Sequence, residues 1–240
     1  MKKIIALCIG LLFASTIHAQ WFGNKKVTGN GHVVKTDRKT GDYDHIGVAG
    51  MYDVVLVSGT EGNITIEAEE NLMEYIETEV KSNTLNIKTT RGINLRPRKK
   101  IRITVPFRDI SAVSLAGSGS ITGQDLIKAN DFKTSLAGSG DIDLAVEAGK
   151  VESNIAGSGD IRLKGKTKVY EANVSGSGDI HAYDLIAEQV HTAVSGSGDI
   201  QVHCNDMLKA RVSGSGNISY KGNAREDSKV SGSGKIRKTS

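Results

Sequence analysis

The chain has 240 residues, with 31 basic and 27 acidic side chains, 28 Gly, 2 Pro, 2 Cys and 11 aromatics among 38% hydrophobic residues. Glycine so far in excess of proline excludes collagen, and so few aromatics leave little bulk for a large mixed core. The net charge of +4, half of it from Lys2 and Lys3, is too small to mark a nucleic-acid binder.

Residues 1–19 read as an export signal. Lys2 and Lys3 supply the positive start, Ile4 to Ile17 the apolar run, and Ala19 a small residue before Gln20. Fourteen apolar residues fall short of the ~20 that a membrane span needs, and no second run of that kind follows. The mature chain, 20–240, is expected to be exported to the periplasm, outer surface or medium as one domain without a transmembrane segment. Cleavage takes Cys8 away and leaves Cys204 alone, so no disulfide is expected.

Between 27 and 111 lie short β-branched runs bounded by Gly, Asn, Ser or Pro: Val54–Val57, Ile64–Ile66, Leu85–Ile87 and Ile101–Val105. One stretch has helical spacing, Asn71 to Val80, through Leu72, Met73, Ile76 and Val80. This part reads as an irregular N-terminal β cap, because terminal repeats of stacked folds depart from the consensus. It also carries two charge blocks. Glu67, Glu69, Glu70, Glu74, Glu77 and Glu79 form an acidic run, and Arg91, Arg96, Arg98, Lys99, Lys100 and Arg102 a basic one. The basic block is a candidate patch for an acidic surface polymer or lipopolysaccharide. Alternatively, both blocks are solvated segments lying near each other.

From 112 to 238 the sequence repeats. Gly-Ser-Gly begins at Gly117, Gly138, Gly157, Gly176, Gly196, Gly214 and Gly232, at steps of 21, 19, 19, 20, 18 and 18 residues. Each copy has an apolar residue two places before it and an Ile two places after it. Val194, Gly196, Gly198, Ile200 and Val202 share one parity and Ser195, Ser197, Asp199 and Gln201 the other, the period-two pattern of a strand with one face inward. A step of about 19 residues leaves no room for a strand with a crossover helix. It fits one coil of a parallel β-solenoid, with the glycines at a corner where neighbouring walls come close. After the last copy, Lys235-Ile236-Arg237-Lys238 puts a charge at an inward position, which is expected to end the stack.

A chain that opens with Gly29-Asn30-Gly31, continues with Val48-Ala-Gly-Met-Tyr-Asp53-Val-Val-Leu and then repeats Leu/Val-Ser/Ala-Gly-Ser-Gly-Asp-Ile resembles the head GIN family of autotransporter-adhesin-like proteins from Bacteroidetes-type bacteria. The resemblance covers nearly the whole mature chain. It implies an all-β fold, a right-handed parallel β-helix of the pectate-lyase type, at the cell surface or in the periplasm. It brings no catalytic or binding residues. Because the sequence stops at Ser240, no C-terminal membrane barrel is expected, and so no self-translocation.

Stacking the coils aligns the third residue after each first glycine into a column: Ser120, Asp141, Asp160, Asp179, Asp199, Asn217 and Lys235. Adjacent carboxylates ~4.8 Å apart repel one another unless a cation, water or local donors intervene. Asp141, Asp160, Asp179 and Asp199 are therefore a candidate surface strip for calcium or glycan. The other reading is that each Asp bonds backbone N–H groups at the bend after the glycines. Gly-Ser-Gly leads into strands and not into helix N-termini, which argues against phosphate binding. The histidines form no metal-ligand spacing, and His203 and Cys204 point to opposite faces of a strand. No catalytic, cofactor or metal site is expected. The function expected is an exported, non-enzymatic surface or envelope binder of glycan, polysaccharide or another envelope component; the alternative is a carbohydrate-active β-helix enzyme of the lyase or glycosidase type.

Overall fold

The computed structural model describes residues 24–239, so the export signal lies outside the described residues. The chain folds as a β-solenoid of about 7 turns with coils of ~19 residues. Long bent strands make the coils: Ser120–Gly138, Asp141–Gly157, Asp160–Gly176, Ile180–Gly196 and Ile200–Gly214, each parallel to the next. Repeat positions stack in register, so Ile142, Ile161, Ile180, Ile200 and Ile218 form one column, every member 0% exposed. The parity that carries Ile is the inward one. Branched side chains stacked on their own kind fill most of this thin core, and buried Phe132 and Tyr170 supply aromatic bulk in the column they share with Val151.

Gly-Ser-Gly makes the corner. The N–H groups of Ser177 and Gly178 both reach the Gly157 carbonyl, at 2.8 and 3.1 Å, so successive corners touch backbone to backbone. A Cβ on Gly178 would stand 2.1 Å from the Gly159 carbonyl oxygen, and Gly176 has φ +129° besides. No side chain fits between the coils there. The intervening serine points to solvent.

The cap contains two further coils. His45–Gly50 and Asp53–Ser58 lie in register with the first repeat, Gly50 beside Gly117 and Asp53 beside Ser120. Thr84–Thr89 and Arg102–Phe107 stack on the far side of that coil. Tyr52 stands where later coils have their second glycine. The neighbouring coil leaves the stack after Thr89, and the Tyr52 hydroxyl bonds Thr89 Oγ1 at 2.5 Å.

Antiparallel strands close this end. Asn63–Glu69 pairs with both Val33–Lys39 and Arg102–Phe107, and Ile76–Lys81 returns on Thr84–Thr89. Ser82 and Asn83 join the latter pair with φ of 49° and 61°, the two left-handed residues of a tight hairpin. The helical spacing at 71–80 is thus overridden: Glu70–Tyr75 forms a 3-10 segment and Ile76 opens a strand. Ile76, Thr78 and Val80 also read at period two, and pairing with Thr84–Thr89 supplies backbone partners that a short isolated helix would lack.

At the other end the inward positions turn polar. Glu226, Ser228 and Lys238 align with Leu208, Ala210 and Tyr220 of the coil before. The Tyr220 hydroxyl donates to Glu226 Oε2 at 2.7 Å, and this carboxylate, with partial burial, pushes the phenol pKa up to about 12. No helix among the described residues is long and apolar enough to cross a membrane.

Candidate functional site

The acidic column forms as a ladder. Asp160 Oδ1 accepts the N–H of Asp179 at 3.3 Å, Asp179 Oδ1 that of Asp199 at 2.7 Å, and Asp199 Oδ1 both the N–H and Nδ2–H of Asn217 at 2.7 and 2.9 Å. The donors that offset the repulsion therefore come from the next coil and not from the same bend. Asp53 of the cap extends the column, accepting the Ser120 hydroxyl at 2.9 Å and pairing with Lys100 at 3.0 Å. Asp141 is exposed, whereas Asp160, Asp179 and Asp199 are half-buried.

The structure divides the basic block. Lys100 goes to Asp53, and Arg102 lies beside Asp53 and across from Glu67 in the antiparallel pair. Arg91, Arg96, Arg98 and Lys99 flank or follow a small parallel sheet, Lys25–Thr28 with Ile93–Arg96, and all four are exposed. None of them forms an ion pair among the described residues. The acidic run lies close by but is not a uniform solvated face: Glu67 pairs with Lys35, Glu77 with Lys88, and Glu69 is 0% exposed.

Glu69 holds the cationic loop in place. Its carboxylate accepts the N–H groups of Gly31 at 2.5 Å, Arg98 at 2.7 Å and Lys99 at 3.3 Å. Burial alone pushes this carboxyl up; the three N–H donors and the Arg98 charge outweigh burial and hold it below the ordinary glutamate range. The Gly29-Asn30-Gly31 sequence is fitted to the same carboxylate. A Cβ on Gly29 would lie 2.0 Å from Glu69 Oε2, Gly31 turns its N–H inward at φ +84°, and the Asn30 N–H bonds Asn71 Oδ1 at 2.9 Å. Glu61 acts similarly on the other flank, accepting the N–H groups of Tyr43 and Arg108 at 3.1 and 3.0 Å. Sequence reasoning counted Glu69 in the acidic run without its buried role and did not single out Glu61, since neither position carries a local sign of burial.

Among the hollows on the described surface, one of about 690 Å³ opens where the cap meets the first repeat and is lined by Asp44, Asp109, Lys128 and Asp131 among others. Asp44 there accepts the Ser111 hydroxyl at 2.8 Å. Two shallower ones, about 360 and 280 Å³, follow each other down a flat face of Ser, Ala and Asn side chains, meeting at Asn173 and Ser175. Among the described residues, histidine side chains contact Glu70, Asp44 and Gln201, and none is bonded to a serine or threonine hydroxyl. Cys204 is buried and unpaired, with His203 on the opposite parity, and burial pushes its thiol pKa up. The arrangement suits binding by charge and shape along an extended surface.

A family model described as "Putative auto-transporter adhesin, head GIN domain" matches residues 42–224. Among solved structures, a "putative adhesin" of Bacteroides fragilis NCTC 9343 superposes with a TM-score of 0.83 at 23% identity, over 89% of this chain and 100% of that one. A "putative lipid binding protein" of Parabacteroides distasonis ATCC 8503 gives 0.77 at 30% identity, over 90% and 100%. A "putative adhesin" of the same strain gives 0.73 at 26% identity, with the same coverage. No curated protein matches the chain.

Proposed function

The chain belongs to the auto-transporter adhesin, head GIN domain family, and from that premise we propose that it is exported to the cell envelope and holds an anionic envelope polymer there without cleaving it. The observation that carries this reading is the cationic loop of the cap. Arg91, Arg96, Arg98 and Lys99 stand exposed and form no ion pair among the described residues, and buried Glu69 fixes the backbone beneath Arg98 and Lys99. Guanidinium groups on a fixed backbone meet carboxylate or phosphate through paired, charge-assisted hydrogen bonds and lose little freedom in doing so. A relative at 30% identity is named for lipid binding. A lipid phosphate and an acidic polysaccharide offer the same chemistry to such a loop; an acidic polysaccharide, whose repeated carboxylates can meet several of these cations at once, is the ligand favoured.

Retention on immobilised polygalacturonate, with neutral dextran and phosphatidylglycerol vesicles as the other arms, tests this. Binding to polygalacturonate should weaken as salt rises from ~0.05 to ~0.5 M, as screening shortens the range of the charges. It should disappear when Arg91, Arg96, Arg98 and Lys99 are all replaced by Gln. Vesicle binding alone would assign the negative charge to a lipid headgroup. Equal retention on dextran would overturn the reading, and release of shortened or unsaturated sugars would establish the carbohydrate-active enzyme instead.

A further inference from the structure

One rung of the acidic ladder differs from the others. Asp179 and His181 share the outward parity, and Asp160 precedes Asp179 in the column by one coil. One ligand atom from each, two carboxylate oxygens and an imidazole nitrogen, lie within 4.8 Å of one another, and all three residues are half-buried. Elsewhere in the His181 column stand Asp143, Arg162, Gln201, Ser219 and Arg237. Carboxylates recur along this face, and among the described residues this is the rung where two of them meet an imidazole.

The hydrogen bonds around the trio fix its members. His181 Nδ1 lies 3.2 Å from Gln201 Oε1. An amide oxygen can only accept, so the proton belongs on Nδ1 and the lone pair on Nε2; an outer partner of this kind is what orients metal-bound imidazoles. Asp179 commits Oδ1 to the Asp199 N–H, and Asp160 commits Oδ1 to the Asp179 N–H. Each keeps its second oxygen for another partner, although Asp160 shares its own with Arg162 at 3.4 Å. Charge is unbalanced as well. Between residues 141 and 201, Asp141, Asp143, Asp160, Asp179 and Asp199 crowd these two outward columns against the guanidinium of Arg162, and the next cations in the columns, Lys235 and Arg237, stand at the far end.

We propose that Asp160, Asp179 and His181 bind a divalent first-row transition ion, with Zn²⁺ the ion best matched to their donors. An imidazole with carboxylates is a mixed nitrogen and oxygen set that zinc accepts. Calcium takes ~6–8 oxygens, more than this rung can supply. The ligands come from two successive coils, so the ion ties those coils together. Three protein ligands also leave a coordination position toward solvent, open to water or to an acidic group of a bound partner.

Calorimetric titration of Zn²⁺ into the purified, untagged chain tests this, with Ca²⁺ as competitor. One site is expected, weakened at least about tenfold by Asp179→Asn or His181→Gln, and unaffected by His191→Gln, His203→Gln or excess Ca²⁺. Co²⁺ in place of Zn²⁺ should give visible absorption bands that His181→Gln abolishes. His181 is a half-exposed outward residue, so this variant tests binding without opening the core, and circular dichroism verifies that it folds. Failure of the parent to bind Zn²⁺ overturns the proposal. Undiminished binding by His181→Gln also overturns it, and so does displacement by Ca²⁺ together with loss in Asp141→Asn, which would reveal a calcium strip along the column.

Discussion

In the coils after Ala112 the main contacts repeat from one coil to the next: Ile on Ile, glycine corner on glycine corner and, from Asp160 on, carboxylate to the next N–H. In the cap each contact occurs once. Glu69 joins residues 38, 29 and 30 positions away, Glu61 joins Tyr43 to Arg108, and Arg38 donates to the carbonyls of Met73 and Ile76. The difference separates two ways of holding strands. Repetition makes stability a sum over nearly equal rungs, so harm to one rung is borne by its neighbours. The cap instead gathers distant segments on single buried carboxylates, so the loss of one loosens several at once.

The repeated coils are most vulnerable at a corner. Gly178→Val drives a Cβ branch into the Gly159 carbonyl and should cost more than about 4 kcal/mol in a denaturant series. Ser177→Val in the same rung should stay within about 0.5 kcal/mol. Strand propensity alone predicts the opposite order, so equal shifts would remove the close-approach account. Next in size is Ile180→Ala, expected to cost about 2–5 kcal/mol by opening a cavity, with Ile161→Ala and Ile200→Ala nearly alike. Widely different values for the three would show that the rungs are not equivalent.

On the cap side, Glu69→Gln weakens one shared acceptor of three backbone N–H groups. It should cost about 1–3 kcal/mol and raise hydrogen exchange at Gly31, Arg98 and Lys99 together, while the Ile180 amide is unaffected. The sign of its pH dependence follows from the carboxyl, which titrates lower in the fold than in the unfolded chain. Its stabilisation is fully present above the unfolded value of ~4.3 and is lost as pH falls through the folded value. Stability measured from pH 6 downward should fall on the acid side in the parent, and less steeply in the variant. The smallest effect on stability belongs to the tail. Changing Lys235, Arg237 and Lys238 to Asp, Gln and Val should barely alter unfolding yet promote concentration-dependent oligomers in sedimentation, because the edge loses its charges. A variant as monomeric as its parent would contradict that role.

The coils were legible in the sequence because their determinants are local and repeated. The Ile parity, the glycine corner and the aspartate column all follow from a fixed step near 19 residues. The cap was legible only as strands. The coil made by 84–89 and 102–107 stacks outside the one made by 45–58, an inversion that no periodicity records. Leu72, Met73, Ile76 and Val80 fit a helix in isolation, whereas Ser82-Asn83 at positive φ dictates a hairpin. The basic block was visible as composition. Its division, with Lys100 drawn to Asp53 and Arg98 and Lys99 resting on Glu69, depends on pairings 29 to 47 residues apart and was not.

On the function proposed above, the unique contacts of the cap present the ligand-binding surface and the repeated coils form the rod behind it. Two charge-neutralised proteins compared on one polygalacturonate surface test this most directly. In the first, Arg91, Arg96, Arg98 and Lys99 become Gln; in the second, Asp141, Asp160, Asp179 and Asp199 become Asn. The account predicts that the first protein loses retention and the second keeps it or binds more tightly, since removing anions from the rod lessens repulsion of an acidic polymer. Retention by the first and loss in the second would place binding on the coils and contradict the account.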